Sequence, residues 1–454
     1  MADKTITAPL PEPLVPTDRP TGWTNIVTVI CWFGLFSEGY DMGSLGAVLP
    51  ILMADPKWNL SAGAAGLIAS AALLGMAFGA YGFGRMSDRI GRKRCYLICL
   101  GLFSTASALA ALAPAPVLLG LMRFCAGVGI GGIIPVCAAL TTEFAGKDQV
   151  NRQFALMYSG YSLGIFASAL VSYFLAAQLG WRMVLGLGGV PLLFLPFIGG
   201  LLPESLVFLV RRGDEAKAFR LAQRFGIALP TTAEVGRSGT ENAGLRALFV
   251  EGRARPTIGF WLASFFGMVL VYGLNTWLPK IMRDSGYDLG PSIMFLGVFA
   301  LASSAGGVVL GWLADRIGRT GAITLAFGCG AFAILLLSVR WPLGMTYMVV
   351  AAAGIGTVAA AVMVTSYLSS YFSSFLRATA VGCSVSFSRL GAVCGPLIGS
   401  LIVQCDLHTV WNFYAFALIS LMASLSILII PTINRDLLPM YSPTIDNHES
   451  VKNS

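Results

Sequence analysis

The sequence predicts an all-α membrane protein, with twelve transmembrane helices arranged as two six-helix pseudo-repeats. Three observations carry this reading. Of 454 residues, 56% are hydrophobic and only 11% charged, at a mean hydropathy of +0.76, where soluble domains hold roughly 25% charged residues. Twelve apolar runs long enough to cross a bilayer can be drawn. A short charged motif also recurs at one constant offset in the two halves of the chain.

In chain order, residues 1–24 hold five prolines and no apolar core. They read as a cytoplasmic tail with no cleavable signal peptide. The apolar runs follow near 25–51, 62–84, 95–113, 117–141, 152–177 and 182–202, the N-terminal bundle (25–202). They resume near 257–281, 292–314, 321–339, 344–371, 378–404 and 410–431, the C-terminal bundle (257–431), followed by a cytoplasmic tail at 432–454. Between the bundles lies the only long polar interval, residues 203–256, with nine Lys/Arg and six Asp/Glu. It reads as a cytoplasmic linker, with an amphipathic helix over 211–225 on the membrane surface.

Charge placement orients the chain. Of 30 Lys and Arg, five (Lys57, Arg182, Lys280, Arg283 and Arg340) fall on one side, Arg123 and Arg389 fall within spans, and 23 fall on the side of the termini and linker. By the positive-inside rule that side is cytoplasmic. The same asymmetry accounts for the net charge of +8 and argues against a nucleic-acid partner. Nine cysteines, mostly inside apolar runs and without metal-like spacing, read as packing residues. No cofactor and no metal is expected.

The repeat is specific. Gly84-Arg-Met-Ser-Asp88-Arg89-Ile-Gly91-Arg92 follows the second run, and Gly311-Trp-Leu-Ala-Asp315-Arg316-Ile-Gly318-Arg319 follows the eighth; Asp88 and Asp315 are 227 positions apart. Ser162-Leu163-Gly164 of the fifth run matches Arg389-Leu390-Gly391 of the eleventh at that same offset. A constant offset at two separated places argues for duplication of a six-helix unit, one architecture of secondary transporters that bind substrate between the halves near the midplane. The carboxylates and arginines of the paired loops, Asp88, Arg89, Arg92, Asp315, Arg316 and Arg319, are expected to form a cytoplasmic gate of inter-helix ion pairs without touching substrate. Glycine clusters in the second, fourth and fifth runs allow close helix approach.

Four charges lie within the apolar runs. Glu38 and Asp41 are three residues apart, about 60° apart on one helical face, and a charge at bilayer depth costs about 2.5–3.5 kcal/mol. At about 1.5 Å per residue both lie roughly 20–25 Å from the cytoplasmic end of the first span, with Arg123 some 10 Å below the outer face and Arg389 near the middle of its span. All four thus share a central-to-outer band in which they are expected to pair across a water-filled cavity. An arginine presents a planar fork matched to a carboxylate, so Arg389 and Arg123 are candidate ligands for an organic anion; Arg123 could equally be a structural partner of Glu38. Buried acids can exchange protons during transport, and the two histidines, His408 and His448, lie outside the band. Carboxylates, Asp41 and Glu38, are therefore the expected proton carriers. An apolar, partly aromatic lining could come from Phe33, Phe36, Tyr40, Tyr158, Tyr161, Tyr272, Asn275, Trp277 and Phe387.

The duplicated loops, the twelve runs and the central linker together resemble the major facilitator superfamily. A narrower set resembles the aromatic acid:proton symporters: Glu38-Gly-Tyr-Asp41, Arg123-Phe124 with Gly127, Gly129, Gly131 and Gly132, Pro203-Glu204-Ser205, Thr276-Trp277-Leu278-Pro279, and Arg389-Leu390-Gly391. Family members typically carry Asp where this chain has Glu38, which keeps the charge on a longer arm. The resemblance implies proton-coupled uptake of a monocyclic aromatic carboxylate, benzoate or a hydroxybenzoate, by a monomer in the cytoplasmic membrane; of the lining candidates, Tyr40, Tyr161, Asn275 and Trp277 are the expected substrate contacts. Uptake of another organic acid, or drug efflux by the same fold, is the alternative. An enzyme is not expected, since phosphate loops, polar catalytic domains and metal-ligand clusters are absent from the sequence.

Overall fold

In this computed structural model the described residues are 22–145, 149–225, 229, 245–250 and 252–431. Both tails and the middle of the linker lie outside them. Among the described residues eleven helices are long and apolar enough to cross a membrane. Span one, Gly22–Ala54, completes the twelve; it is 33 residues long, and its two central acids dilute an otherwise apolar run. The chain is therefore a multi-pass membrane protein, and its spans follow the expected order.

Local chemistry sets the boundaries. Span two (Ala62–Ile90) starts where the Ser61 hydroxyl accepts the Ala64 N–H at 3.2 Å. Span four (Pro116–Phe144) opens on a proline, which needs no N–H partner in the first turn. The repeated loops end in matching geometry: Gly91 (φ 98°, ψ 150°) and Gly318 (φ 80°, ψ 156°) each separate one span from the next, in a left-handed conformation that favours glycine. The 227-residue offset read from the sequence is thus also an offset of backbone shape.

Three boundaries differ from expectation. Spans five and six are joined without a loop, through a kink at Gly180 (φ 76°, ψ 170°), so that span six runs Gln178–Leu201 with a 3₁₀ turn at Leu187–Gly189. Span ten, Leu343–Tyr371, carries a π-segment at Ile355–Ala359, where the Thr357 hydroxyl bonds back to Ala353 O at 2.6 Å. The linker helix expected over 211–225 is two helices, Leu206–Arg211 and Glu215–Phe225, because Gly213 turns the chain at φ 80°.

The end of the bundle carrying the linker is called here the linker face, and the opposite end the far face. The halves meet in the far part of the bundle. A side chain at Gly63 or Gly66 of span two would strike Gln404 or Ser400 of span eleven (Ser374–Gln404). The Ser70 hydroxyl donates to Val393 O of that span at 2.9 Å. Ala47, Ile165, Ala169, Ile293, Leu296 and Ala300 form an apolar cluster where span one and span five (Arg152–Ala176) meet span eight (Leu289–Ile317). Arg283, at the end of span seven (Ala254–Asp284), donates to Pro50 O of span one at 3.1 Å. This seam closes the far face.

Candidate substrate and proton site

Span one is pressed against span five at Gly39, where a Cβ would lie 2.0 Å from Tyr161 O. That close approach fixes the rotation of span one and, with it, the directions of both acids. Asp41, 2% exposed, turns into the N-terminal bundle. Its Oδ2 accepts Arg123 Nη1 of span four at 2.5 Å, and its Oδ1 accepts the Ser107 hydroxyl of span three (Arg92–Ala111) at 2.9 Å. Both carboxylate oxygens are occupied. Arg123 is itself 2% exposed, and its Nε has no hydrogen-bond partner.

Glu38 faces the other way. It is 1% exposed, and its Oε2 has no hydrogen-bond partner. The cation in electrostatic reach is Arg389, contributed by span eleven of the opposite half. Arg389 is half-buried and is surrounded by Tyr272, Glu38 and Tyr158. Tyr158 is 38% exposed, although it neighbours Glu38, Tyr272 and Arg389. Tyr161 and Tyr272 face each other across the seam. The two hydroxyls lie against each other, and Asn275 Oδ1 is buried without a hydrogen-bond partner. One guanidinium, one acid and three phenols, drawn from spans one, five, seven and eleven, thus meet between the halves.

Several expected contacts are placed elsewhere. Arg123, read as a candidate anion ligand or as a partner of Glu38, is bound to Asp41, because Asp41 rather than Glu38 points toward span four. Tyr40 spends its hydroxyl on Val184 O of span six at 2.9 Å. Trp277 is fully buried, with Nε1 donating to Pro396 O at 2.8 Å, and holds span seven to span eleven. Phe33, Phe36 and Phe387 are half-buried, with Phe36 stacked on Trp32 and Phe387 on Trp261. Ser107 escaped the sequence reading, since one serine in an apolar run carries no signal until its neighbour across the bundle is known.

A model of the Major Facilitator Superfamily matches residues 31–372. The chain belongs to this superfamily. The benzoate transport protein of Acinetobacter baylyi is 31% identical over 90% of this chain and 90% of its own length. The gallate transporter of Pseudomonas putida is 30% identical over 89% of this chain and 91% of its own. These relatives bear out the narrower resemblance to transporters of aromatic acids. Among solved structures, the xylose transporter XylE from E. coli, in a partially occluded inward open conformation, superposes with a TM-score of 0.72 at 16% identity, covering 91% of this chain and 99% of that one. That likeness concerns the fold.

The paired loops of this facilitator fold lie at the linker face, and their surroundings differ. In the first, Asp88 is 58% exposed and sits 3.9 Å from Arg211 of the linker. Arg92 pairs with Glu143 of span four, and Arg89 is exposed. Glu204 Oε1 accepts the N–H groups of Lys93 and Ser205, each at 3.0 Å, and so caps the start of span three. In the second loop Asp315 is exposed, Arg316 stacks on Trp312 at 3.9 Å, and Arg319 bonds Ser370 of span ten.

Proposed function

We propose that this protein takes up a monocyclic aromatic carboxylate together with protons across the cell membrane, with the termini and the linker face in the cytoplasm. The observation that carries this reading is the approach of Glu38 and Arg389, from opposite halves, among the phenols of Tyr158, Tyr161 and Tyr272. The benzoate and gallate transporters similar to this chain supply the substrate class. The excess of Lys and Arg at the linker face supplies the orientation. The structure then corresponds to an inward-facing state, closed on the outside by the far-face seam.

Arg389 is the anchor for the substrate carboxylate, since its planar fork matches a carboxylate in two-point geometry. While Glu38 is ionised it competes with that carboxylate for the same guanidinium. A proton on Glu38 removes the competition and releases Arg389 to the substrate, so one proton and one anion are favoured together. Asp41 is a proton site of a different kind. A proton there weakens its ion pair with Arg123, which links its protonation to a repacking of span one against span four. Each acid thus couples protons to one event, Glu38 to binding and Asp41 to the motion of span one. The paired loops are the cytoplasmic gate, parted in this state.

The test is uptake of radiolabelled 4-hydroxybenzoate and benzoate into proteoliposomes under an acid-outside pH gradient. Accumulation above equilibrium that a protonophore abolishes is the expected result. Arg389→Ala should remove substrate binding by calorimetry, and Arg389→Lys should restore only part of it, because an ammonium cannot form the fork. Uptake unaffected by the gradient would overturn proton coupling, and unchanged affinity in both Arg389 variants would overturn the anchor.

A further inference from the structure

We propose that Ser107 is a positioning residue for the proton step: its hydroxyl sets the pH at which Asp41 takes up a proton. The proposal rests on the reading of Asp41 as a proton site and adds to it what tunes that site. Asp41 divides its two oxygens between two kinds of partner. Oδ2 belongs to the Arg123 ion pair. Oδ1 accepts the Ser107 hydroxyl at 2.9 Å, its one hydrogen bond among the described residues. Asp41 and Ser107 are both buried, so bulk solvent does not compete for that oxygen.

Span six closes over the bond. The Tyr40 hydroxyl, next to Asp41 on span one, donates to Val184 O of span six at 2.9 Å. Four positions on, within the 3₁₀ turn Leu187–Gly189, Gly188 lies against the pair. A Cβ there would fall 3.0 Å from Ser107 Cβ, 3.4 Å from its Oγ and 3.7 Å from Asp41 Oδ1. The missing side chain lets span six seal the pair without displacing the hydroxyl. The charged and titratable groups around Asp41 are Arg123 from span four and Glu38 and Tyr40 from its own span. Tyr158 and Tyr161 of span five lie against Glu38 instead. From spans three and six, Asp41 meets the Ser107 hydroxyl and Gly188.

A hydroxyl that donates to a carboxylate favours its ionised form, and such charge-assisted bonds are stronger than neutral ones. Ser107 therefore opposes protonation of Asp41 without belonging to the ion pair. It keeps Asp41 ionised, and span one held to span four, until the proton supply is high enough. Ser104 provides the contrast. It lies three positions earlier on the same face of span three. It is fully buried, and its hydroxyl has no hydrogen-bond partner. Removing that hydroxyl breaks no bond.

Infrared difference titration of the purified full-length protein reads the proton through the carboxylic-acid band that Asp41→Asn removes. The titration needs no substrate, so it stands apart from the choice of ring. Ser107→Ala should move the midpoint of that band to higher pH by about one unit, a tenfold gain in proton affinity. Ser104→Ala should leave the midpoint where it is. In proteoliposomes at fixed internal pH, the external pH for half-maximal 4-hydroxybenzoate uptake should rise in Ser107→Ala and stay native in Ser104→Ala. Unmoved midpoints in Ser107→Ala, or equal shifts in Ser104→Ala, would overturn the proposal and leave Asp41 as the proton site. Acid-driven accumulation that persists in Asp41→Asn would remove Asp41 from the proton step, and the role of Ser107 with it.

Discussion

Glu38 and Asp41 are separated by less than one helical turn, yet one is saturated with partners and the other has an oxygen with none. Breaking a buried pair by removing one member costs about 3–5 kcal/mol, because the other charge is left uncompensated. Asp41→Asn strands Arg123 and should lower the unfolding temperature clearly. Glu38→Gln neutralises an acid that holds nothing in place and should leave it within a degree or two, although both variants should lose pH-driven accumulation. Equal loss of thermal stability in the two variants would show that Glu38 also has a structural partner. All four intramembrane charges were legible in the sequence, and so was the angle between the two acids. Their pairing was not: a helical repeat fixes how residues 38 and 41 diverge, whereas which of them meets Arg123 depends on how Gly39 seats span one against span five.

At the level of elements, the duplicated loops were legible because their glycines, arginines and carboxylates recur at a fixed offset, and the left-handed glycines at 91 and 318 give that offset a structural cause. The partners of the loops were not legible. Glu143 for Arg92 and Glu204 for the Lys93 N–H arise from helix packing and carry no spacing signal. The Asp88–Arg211 pair is largely exposed, with side chains 58% and 40% accessible, and exposed pairs contribute about 0–1 kcal/mol. Asp88 therefore does not hold the fold together, and its value lies in the alternative state where the linker face closes. Asp88→Asn should slow turnover several-fold in proteoliposomes while leaving substrate affinity of the inward-facing protein unchanged, since a residue that biases a two-state equilibrium alters populations and not local contacts. Loss of affinity measured on the inward-locked protein would place Asp88 in the binding path instead.

For the molecule as a whole, the twelve-span architecture was legible from composition and periodicity, but the conformational state was not, because both states satisfy the same hydrophobic pattern. The state is carried by the seam. Its polar ties are few, the Ser70 bond to Val393 and the Arg283 bond to Pro50, and the rest is small-residue and apolar packing that can part without stranding charges. Gly63 and Gln404 close the seam at its outermost point, where a Cβ on Gly63 would fall 1.9 Å from the Gln404 side chain. The double variant Gly63→Cys/Gln404→Cys should therefore crosslink on oxidation, in a background carrying Cys405→Ser because Cys405 is exposed beside it. The oxidised protein should lose uptake entirely, since the far face cannot open, yet it should still bind substrate in detergent through the linker face. Reduction should restore uptake to the level of the unoxidised variant. If the crosslinked protein continued to transport, the far-face seam would not be the barrier that opens, and the rocking of two halves about the Glu38–Arg389 site would have to be replaced by a motion confined to one bundle.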